Sequence, residues 1–313
     1  MTGLSVERFR PELAGEWNAF VADSKNGTFL LDRAYMDYHA HRFLDHSLLL
    51  RDGNQLVALL PANESQDWLH SHGGLTYGGL VLGLRSGAEA ALTMFEALRD
   101  YMRVRALAGL HYKTIPSIYH RHPAEEDRYA LFRLEARLTR RDVLSVVPSG
   151  DRIRYQERRA RGVKVARTAG VSVAESTDFS AFWTVLAENL HARFGVDPVH
   201  SLGEISLLRD RFPESIRLFE ATIDGRAVAG CVVFETHRVA HVQYISASER
   251  GKALHALDAV FDHLLRERYL HKPFFDFGIS NEEAGRVLNA GLVAQKEGFG
   301  ARTMVHDYYE LTA

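Results

Sequence analysis

The same order of predicted elements occurs twice in this chain, and this repetition restricts the possible folds more than any other feature. In the first half, a helix over Ala88–Val104 is followed by a strand, a short helix and a strand that ends at Val147. In the second half, the strand Val239–Ala247 is followed by a helix over 254–268, a strand, a helix and a closing strand over 303–311. A hairpin signal, two apolar runs joined by Asp-Gly, precedes each unit. The sequence therefore predicts an α+β (mixed α/β) protein with two tandem domains, each a mainly antiparallel sheet flanked by helices.

The boundary between the halves is predicted at Pro148-Ser149-Gly150, which gives domains over 1–148 and 151–313. A chain of 313 residues suits two domains of about 150 residues each. The hydrophobic fraction of 46% and the charged fraction of 25% are typical of a globular protein and exclude disordered and fibrous classes. Each half carries one more acidic than basic residue, so neither half is a globally basic nucleic-acid binder.

Cysteine and histidine usage argues against disulfides and metal sites. The single cysteine, Cys231, lies in an apolar run and is predicted to be an inert core thiol. Three H-x-H pairs lack an evident third ligand, so no metal is predicted; they are His39/His41, His70/His72 and His120/His122. No apolar stretch approaches the roughly 20 residues that span a bilayer, and no secretory signal is evident. We therefore expect no transmembrane segment and a cytoplasmic location.

The most specific local feature is a glycine-containing turn, Ser248-Glu-Arg-Gly251-Lys-Ala253, that opens directly into a helix. Unpaired N–H groups at such a helix start suit a phosphate or pyrophosphate, and Lys252 adds positive charge. A tight structural turn without a ligand is the alternative. In either case the turn is expected to be exposed.

At this point the chain resembles the GNAT acyltransferase superfamily, whose donor-binding turn has the form Q/R-x-x-G-x-G/A. Ser248, Gly251 and Ala253 match its spacing, with serine in place of the usual Gln or Arg. Two tandem halves of this kind resemble, more narrowly, the FemAB-like transferases of cell-envelope and polysaccharide biosynthesis. The stretches that carry this resemblance are Ser71-His-Gly-Gly-Leu-Thr-Tyr-Gly-Gly79, Lys113-Thr-Ile-Pro-Ser-Ile-Tyr-His120 and Asp276-Phe-Gly-Ile-Ser-Asn-Glu282.

The resemblance implies transfer of an acyl group to an amine, with acetyl-CoA or another acyl-CoA as co-substrate and no metal. The pantetheine arm would pair with the strand backbone at Ile245 and Ser246. The pyrophosphate would meet the N–H groups of the turn from Arg250 through Gly251 and Lys252 to Ala253, in the second domain. The first domain, whose equivalent turn has a different glycine spacing, would have a degenerate donor turn and is a candidate for binding the acceptor. Larger Fem-type enzymes use aminoacyl-tRNA, held partly by an inserted helical hairpin that this sequence lacks.

An amine nucleophile must lose a proton, so a general base is expected near the donor. His241 and Tyr244 lie on the strand before the turn; being three residues apart, they face opposite sides unless the strand bulges. Asp276, at the end of the neighbouring strand, is the third catalytic candidate, as base or as a group that orients a histidine. A capping box at 280–283 predicts that the next helix runs to about Phe299. Many GNAT enzymes use a tyrosine of this helix as the acid that protonates the leaving thiolate. The helix predicted here contains no tyrosine, so no residue of it can take that role.

Two regions are candidates for binding an acceptor. The first is the basic segment 152–167, which contains Arg154 and Arg158. It is either a solvated helix, because it has no apolar stripe wide enough to dock it firmly, or a binding site for an acceptor that carries a diphosphate. A nucleotide sugar or a lipid-linked precursor is an acceptor of that kind. An RNA acceptor stem is a weaker third alternative. The second region is a set of polar residues in apolar surroundings. They are predicted to line a cleft between the domains or, alternatively, to form a polar surface of the first domain; they are His72, Tyr77, Lys113, Tyr119 and His120.

Three functional hypotheses remain at this stage. The leading one is an N-acyltransferase that moves an acyl group, acetyl being the first choice, from acyl-CoA to an amine. The amine belongs to a precursor of the cell envelope or of a surface polysaccharide, and this precursor is a small molecule or is linked to a lipid or a nucleotide. The second keeps the fold and uses aminoacyl-tRNA as donor. The third is a catalytically inactive GNAT-like protein that binds a ligand or partner. No oligomeric state is predicted.

Overall fold

The computed structural model describes residues 3–313, which form two compact units of mixed α and β structure. Unit 1 comprises residues 3–142, 283–286 and 305–313, and unit 2 comprises residues 143–282 and 287–304. This architecture confirms the predicted fold class. Within residues 3–313, no helix has both the length and the apolar character needed to cross a membrane.

The elements of unit 1 are mostly short strands, together with one long helix of 17 residues. In chain order they are β1 (Leu4–Arg8), α1 (Ala14–Asp23), α2 (Arg33–Met36), β2 (Leu44–Asp45), β3 (Leu48–Asp52), β4 (Gln55–Leu60), β5 (Asn63–Ser65), β6 (Trp68–His70), β7 (Val81–Leu82), α3 (Ala88–Val104), β8 (Gly109–Lys113) and α4 (Glu126–Arg133). They are followed by β9 (Arg137–Pro148), whose residues up to Asp142 belong to unit 1 and whose remainder belongs to unit 2.

Unit 2 begins with the end of β9. Its elements are α5 (Glu157–Thr168), β10 (Ser172–Ser176), α6 (Ser180–Phe194), α7 (Leu202–Arg211), β11 (Ile216–Ile223), β12 (Arg226–Glu235), β13 (Val239–Ala247), α8 (Glu249–Ala253), α9 (Ala256–His263), β14 (Phe274–Ile279), β15 (Asn281–Glu282), β16 (Val287–Leu288) and α10 (Ala290–Glu297). The chain closes with β17 (Arg302–Thr312), most of which belongs to unit 1.

Unit 1 contains an antiparallel sheet in the order β1-β3-β4-β7, and a second set of strands in the order β17-β8-β6-β5-β2. The predicted hairpin around Gly53 is confirmed as β3 and β4. Helix α3 buries residues spaced three or four apart, which is the period of one helix face; they are Ala91, Met94, Phe95, Leu98 and Met102. This face packs into the core of unit 1.

Unit 2 contains strands in the order β10-β11-β12-β13-β14-β9, of which only β13 and β14 lie parallel. The predicted hairpin is confirmed as β11 and β12, and its turn residues Asp224 and Gly225 have φ of 51° and 71°, as a two-residue turn of this kind requires. Helix α9 buries Val260 and Phe261 against the sheet.

The basic segment docks more firmly than the sequence suggests. Helix α5 buries Gly162, Val163 and Ala166, and a Cβ at Gly162 would lie 1.8 Å from Oδ2 of Asp258 in α9. The helix is therefore not simply solvated: its small residues allow a close approach to α9.

Two predicted helices differ from the structure. The capping box at 280–283 does not start a helix, because these residues form β15 and a short 3-10 turn; α10 begins only after Asn289, whose side chain caps the N–H of Leu292 at 2.9 Å. The helix predicted over 254–268 is interrupted at His255, which has φ of 54°, and ends in a π-helical turn over Leu264–Arg268.

The compact units also differ from the predicted boundary at 148–151. The chain divides between Asp142 and Val143, and the C-terminal residues 305–313 belong to unit 1 because β17 pairs with β8 from Tyr308 to Thr312. Pairing between strands that are distant in sequence leaves no signal in the local composition. The boundary was therefore predicted at Pro148-Ser149-Gly150, whose residues are typical of a linker.

Candidate functional site

A gap between two parallel strands defines the candidate site in unit 2. Residues Val239–His241 of β13 pair with Phe274–Asp276 of β14, and the parallel pairing ends there. Strand β14 then continues beside β9 through an irregularity at Gly278, which has φ of 73°. Residues 242–247 of β13 consequently present a strand edge on the side where β14 has turned away.

A β-bulge in β13 brings two of the predicted catalytic residues to one face. His241 is opposite Phe234 on β12, and Tyr244 is opposite Val232, with one extra residue, Gln243, between the paired positions. Phe234 and Val232 are two residues apart and share a face, so His241 and Tyr244 do as well. The sequence allowed this arrangement only if the strand bulged, and the bulge is present.

His241 and Asp276 form a pair at the point where the strands separate. His241 Nδ1 lies 2.9 Å from Asp276 Oδ2, and their side chains are 10% and 1% exposed. The other carboxylate oxygen accepts the N–H of Gly278 at 2.8 Å. With Nδ1 as the donor to Asp276, the imidazole is held in the tautomer whose lone pair is on Nε2. This is the arrangement that a histidine base requires.

Residues that the sequence did not indicate hold the rest of this face. The hydroxyl of Tyr244 is hydrogen-bonded to Nδ1 of His200, and Trp183 packs edge-on against the Tyr244 ring at 5.2 Å. Asn189 of α6 donates to the hydroxyl of Ser246 at 2.7 Å. His200 precedes α7 and is far from Tyr244 in sequence, so no local pattern could have paired them.

Lys296 fixes the far end of β14. Its ammonium donates to the carbonyls of Gly278 and Ile279 and to Oγ of Ser280, at 3.1, 2.6 and 3.0 Å. Burial lowers the pKa of Lys296 to about 8, while the charge of Asp276 acts in the opposite direction. Lys296 therefore stabilises the turned-away strand end beside the His241–Asp276 pair.

Several polar groups of the turn after β13 already have hydrogen-bond or ion-pair partners within the protein. The hydroxyl of Ser248 caps the N–H of Gly251 at 3.2 Å and also donates to the carbonyl of Val228 at 3.1 Å. The side chains of Arg250 and Lys252 are paired with Asp224 and Glu249. Most of the turn is exposed, as expected, but Gly251 itself is buried. The Ser248 substitution in the GNAT pattern thus supplies an N-cap.

The close approach at Gly251 leads to a prediction about stability. A Cβ there would lie 2.1 Å from the backbone oxygen of Val228, so we expect Gly251→Ala to lower the free energy of unfolding by about 1–3 kcal/mol. The matched control is Gly203→Ala in α7, where a Cβ would meet nothing within 4 Å and alanine favours the helix. Chemical denaturation of both variants measures the difference. Equal stability of the two variants would contradict a packing role for Gly251.

The predicted acceptor residues do not form one cluster. His72 and Lys113 line a common cavity within unit 1. Tyr77, Tyr119 and His120 are buried elsewhere in that unit: the Tyr77 and Tyr119 ring centres are 4.6 Å apart with the rings tilted by 46°, and His120 Nε2 contacts the carbonyl of Ile115.

The arginines of the basic segment are used in several ways. In unit 2, Arg154 lines a separate cavity beside Tyr155, and Arg158 donates to the carbonyl of Ala294. Arg159 pairs with Asp258 and Arg167 with Asp262, each at 2.7 Å. These two ion pairs hold α5 on α9, so they leave less of the segment's charge for a ligand.

In residues 3–313, no three His, Cys, Asp or Glu side chains are grouped as metal ligands.

Comparison with protein families finds a match in the second half of the chain. Residues 150–284 match the family model of the acetyltransferase (GNAT) domain. No curated protein sequence matches the chain. Residues 150–284 are therefore a GNAT domain. The fold of the chain is similar to that of three solved structures.

Three solved structures share this fold at low sequence identity. FemX has a TM-score of 0.70 and 9% identity, over 99% of this chain and 97% of that one. The C-terminal domain of a putative lysylphosphatidylglycerol synthetase from Agrobacterium fabrum has a TM-score of 0.61 and 13% identity, over 96% and 91%. A tandem GNAT protein from the clavulanic acid biosynthesis pathway has a TM-score of 0.52 and 14% identity, over 99% and 98%.

Proposed function

We propose that this protein transfers an acyl group, acetyl in the simplest case, from acyl-CoA to an amine of a cell-envelope or surface-polysaccharide precursor. The acceptor amine is carried by a small molecule or by a lipid-linked or nucleotide-linked precursor. The proposal includes a cytoplasmic location and no metal.

The observation that carries the proposal is the open edge of β13 beside the His241–Asp276 pair. A pantetheine arm contains two amide groups, and an extended amide chain binds a strand edge through backbone hydrogen bonds. Residues Ile245 and Ser246 lie on that edge, between the His241–Asp276 pair and the turn at Ser248. A donor bound along it would bring its thioester towards His241 and its phosphates towards the turn.

The chemistry follows from the side chains on this face. The amine nitrogen attacks the thioester carbonyl, so a C–N bond forms and the C–S bond breaks. His241 Nε2 takes the proton that the amine loses, and Asp276 stabilises the resulting imidazolium. The hydroxyl of Tyr244 gives a proton to the leaving thiolate and regains one from solvent. Tyr244 thus fills the role for which α10 supplies no tyrosine.

Aminoacyl-tRNA remains a second candidate donor. It is favoured by the likeness in fold to FemX and to a protein whose name describes the attachment of lysine to phosphatidylglycerol. It is also favoured by the exposed arginines of α5, Arg158 and Arg161. In this version the same residues would act on an ester instead of a thioester.

Titration of each donor into the purified protein distinguishes the two versions. We expect acetyl-CoA to bind with a Kd of about 1 mM or below, and its affinity to change little with salt compared with that of tRNA. If the donor is aminoacyl-tRNA, uncharged tRNA binds instead, and its log affinity falls steeply with log salt concentration because counterions are released. The acyl-CoA version is contradicted if acetyl-CoA does not bind at millimolar concentration.

A further inference from the structure

A cavity of about 400 Å³ lies within unit 1, away from the residues assigned to transfer. We call it the Lys113 cavity. Its polar lining comes from β6, β8, β9, β17 and the loop after β6, and the side chains that matter here are His70, His72, Thr76, Lys113, Arg140 and Tyr308. None of the lining residues in the described part of the chain is acidic.

Lys113 contributes an ammonium group without a carboxylate partner. Its Nζ donates to the backbone oxygen of Leu75, and within residues 3–313 no ion pair joins it to an acid. An ammonium has three N–H donors, so two remain for a ligand. A partly buried positive charge with no counter-charge is costly unless an anion binds beside it.

Arg140 places a second set of donors in the same cavity. Its Nε and one Nη bind the buried carboxylate of Asp142, at 2.9 and 2.8 Å, and its guanidinium lies 4.6 Å from the Tyr308 ring centre. The ion pair with Asp142 orients the guanidinium, while the other terminal nitrogen has no partner among residues 3–313. A rigid guanidinium of this kind suits an oxyanion.

His72 adds an unsatisfied polar group to the lining. Its side chain is buried and its Nδ1 has no hydrogen-bond partner among the described residues 3–313, while its backbone has φ of 39°. Burial, followed by the charges of His39 and Lys113, lowers the pKa of His72 to about 3, so the ring is neutral. Lys113 and Arg140 are therefore the cations that face the cavity, and no carboxylate neutralises Lys113.

We propose that the Lys113 cavity binds a single oxyanion group, a carboxylate or a phosphate-type group, between Lys113 and Arg140. Its assignment to the amine acceptor rests on the function proposed above, and it names the class of that acceptor as an anionic one. Anion binding itself does not depend on that function and can be measured without any donor.

The test is calorimetric titration of the full chain at constant ionic strength, with sulfate for the phosphate-type group and acetate for the carboxylate. We expect one of these anions to bind, and Lys113→Met to weaken it by at least about tenfold, the usual effect of losing a charge-assisted hydrogen bond. Arg103→Met, at an exposed position of α3, is the matched control and should bind like the unaltered protein.

A second variant keeps the proposal testable if Lys113→Met does not fold. Thr76 is exposed and lines the cavity, so Thr76→Glu should fold and introduce a competing carboxylate. Thr76→Glu should lower the affinity for the anion by a similar factor while Lys113 stays in place. Absence of binding by both anions, or binding that both variants leave intact, overturns the proposal.

The dependence of binding on pH gives an independent readout. Burial and then Arg140 lower the pKa of Lys113 to about 7, so its charge is present below pH 7 and lost above it. Sulfate keeps its charge over this range, and we expect its affinity to fall about tenfold from pH 6 to pH 8 in the unaltered protein but not in Lys113→Met. The other titratable or charged groups that face Lys113 or flank the cavity are Arg140 and Asp142 of β9, His306, Tyr308 and Tyr309 of β17, His70 of β6, His111 and Tyr112 of β8, and His72.

The two proposals can fail separately. If sulfate or acetate binds at Lys113 but neither donor binds in unit 2, the cavity stands and the proposed function fails. If a donor binds and neither anion does, the function stands and the anionic class of its acceptor is wrong.

Discussion

We expect His241→Gln to lower kcat/KM for acyl transfer by about 10²–10⁴-fold, the usual contribution of a general base. A glutamine amide can still donate to Asp276, so the buried carboxylate keeps a partner and the fold should persist. It has no lone pair on nitrogen that can accept the proton of the amine. Steady-state rates of thiol release with an amine acceptor, together with Tm, measure the two effects.

His263→Gln is the matched control, because His263 forms the same kind of pair with a carboxylate. Its Nδ1 lies 2.8 Å from Oε2 of Glu267, but this pair is more exposed and joins the end of α9 to the π-helical turn that follows it. We expect its rate to equal that of the unaltered protein. Equal rates for His241→Gln and His263→Gln would show that His241 is a structural histidine.

The second large effect concerns stability. Arg159 and Asp258 form an ion pair whose side chains are 18% and 4% exposed, so Arg159→Met leaves a buried carboxylate without its main counter-charge. We expect the free energy of unfolding to fall by about 3 kcal/mol, which lowers the Tm of unit 2, with its roughly 160 residues, by roughly 6–12 °C. Thermal unfolding followed by circular dichroism measures it.

Arg161→Met on the same helix provides the comparison, because Arg161 is exposed. Its effect on the free energy of unfolding should lie within about 0.5 kcal/mol. If the basic segment were instead an open site for a diphosphate, Arg159→Met would leave Tm unchanged and weaken acceptor binding. That result would contradict the docking role of the Arg159–Asp258 pair.

Local patterns in the sequence were sufficient to predict much of the fold. The apolar spacing of α3 and the Asp-Gly turns before β4 and β12 depend on residues close in the chain, and the structure confirms them. The capping box at 280–283 was misleading because the same residues instead form a short strand paired with β16. Here tertiary pairing outweighed the local preference for a helix.

The site was predictable only in part, for the same reason. His241 and Tyr244 could be chosen because they lie on the strand that leads into the turn, and Asp276 because it ends the neighbouring strand. The bulge at Gln243, the contact of Tyr244 with His200 and the position of Lys296 arise from pairing between distant segments. Nothing in the sequence separated Lys113 and His72 from the buried Tyr77, because all three are polar residues in apolar surroundings.

A donor bound along the open edge of β13 would cover the backbone amides of that edge, and hydrogen–deuterium exchange of these amides tests this claim. The exchange of residues 242–247 is compared with and without saturating acetyl-CoA. We predict that the donor slows exchange there and in the turn at Ser248–Ala253, while α3 in unit 1 is unaffected. Unchanged exchange over 242–247 at a donor concentration that titration shows to be saturating would contradict the claim.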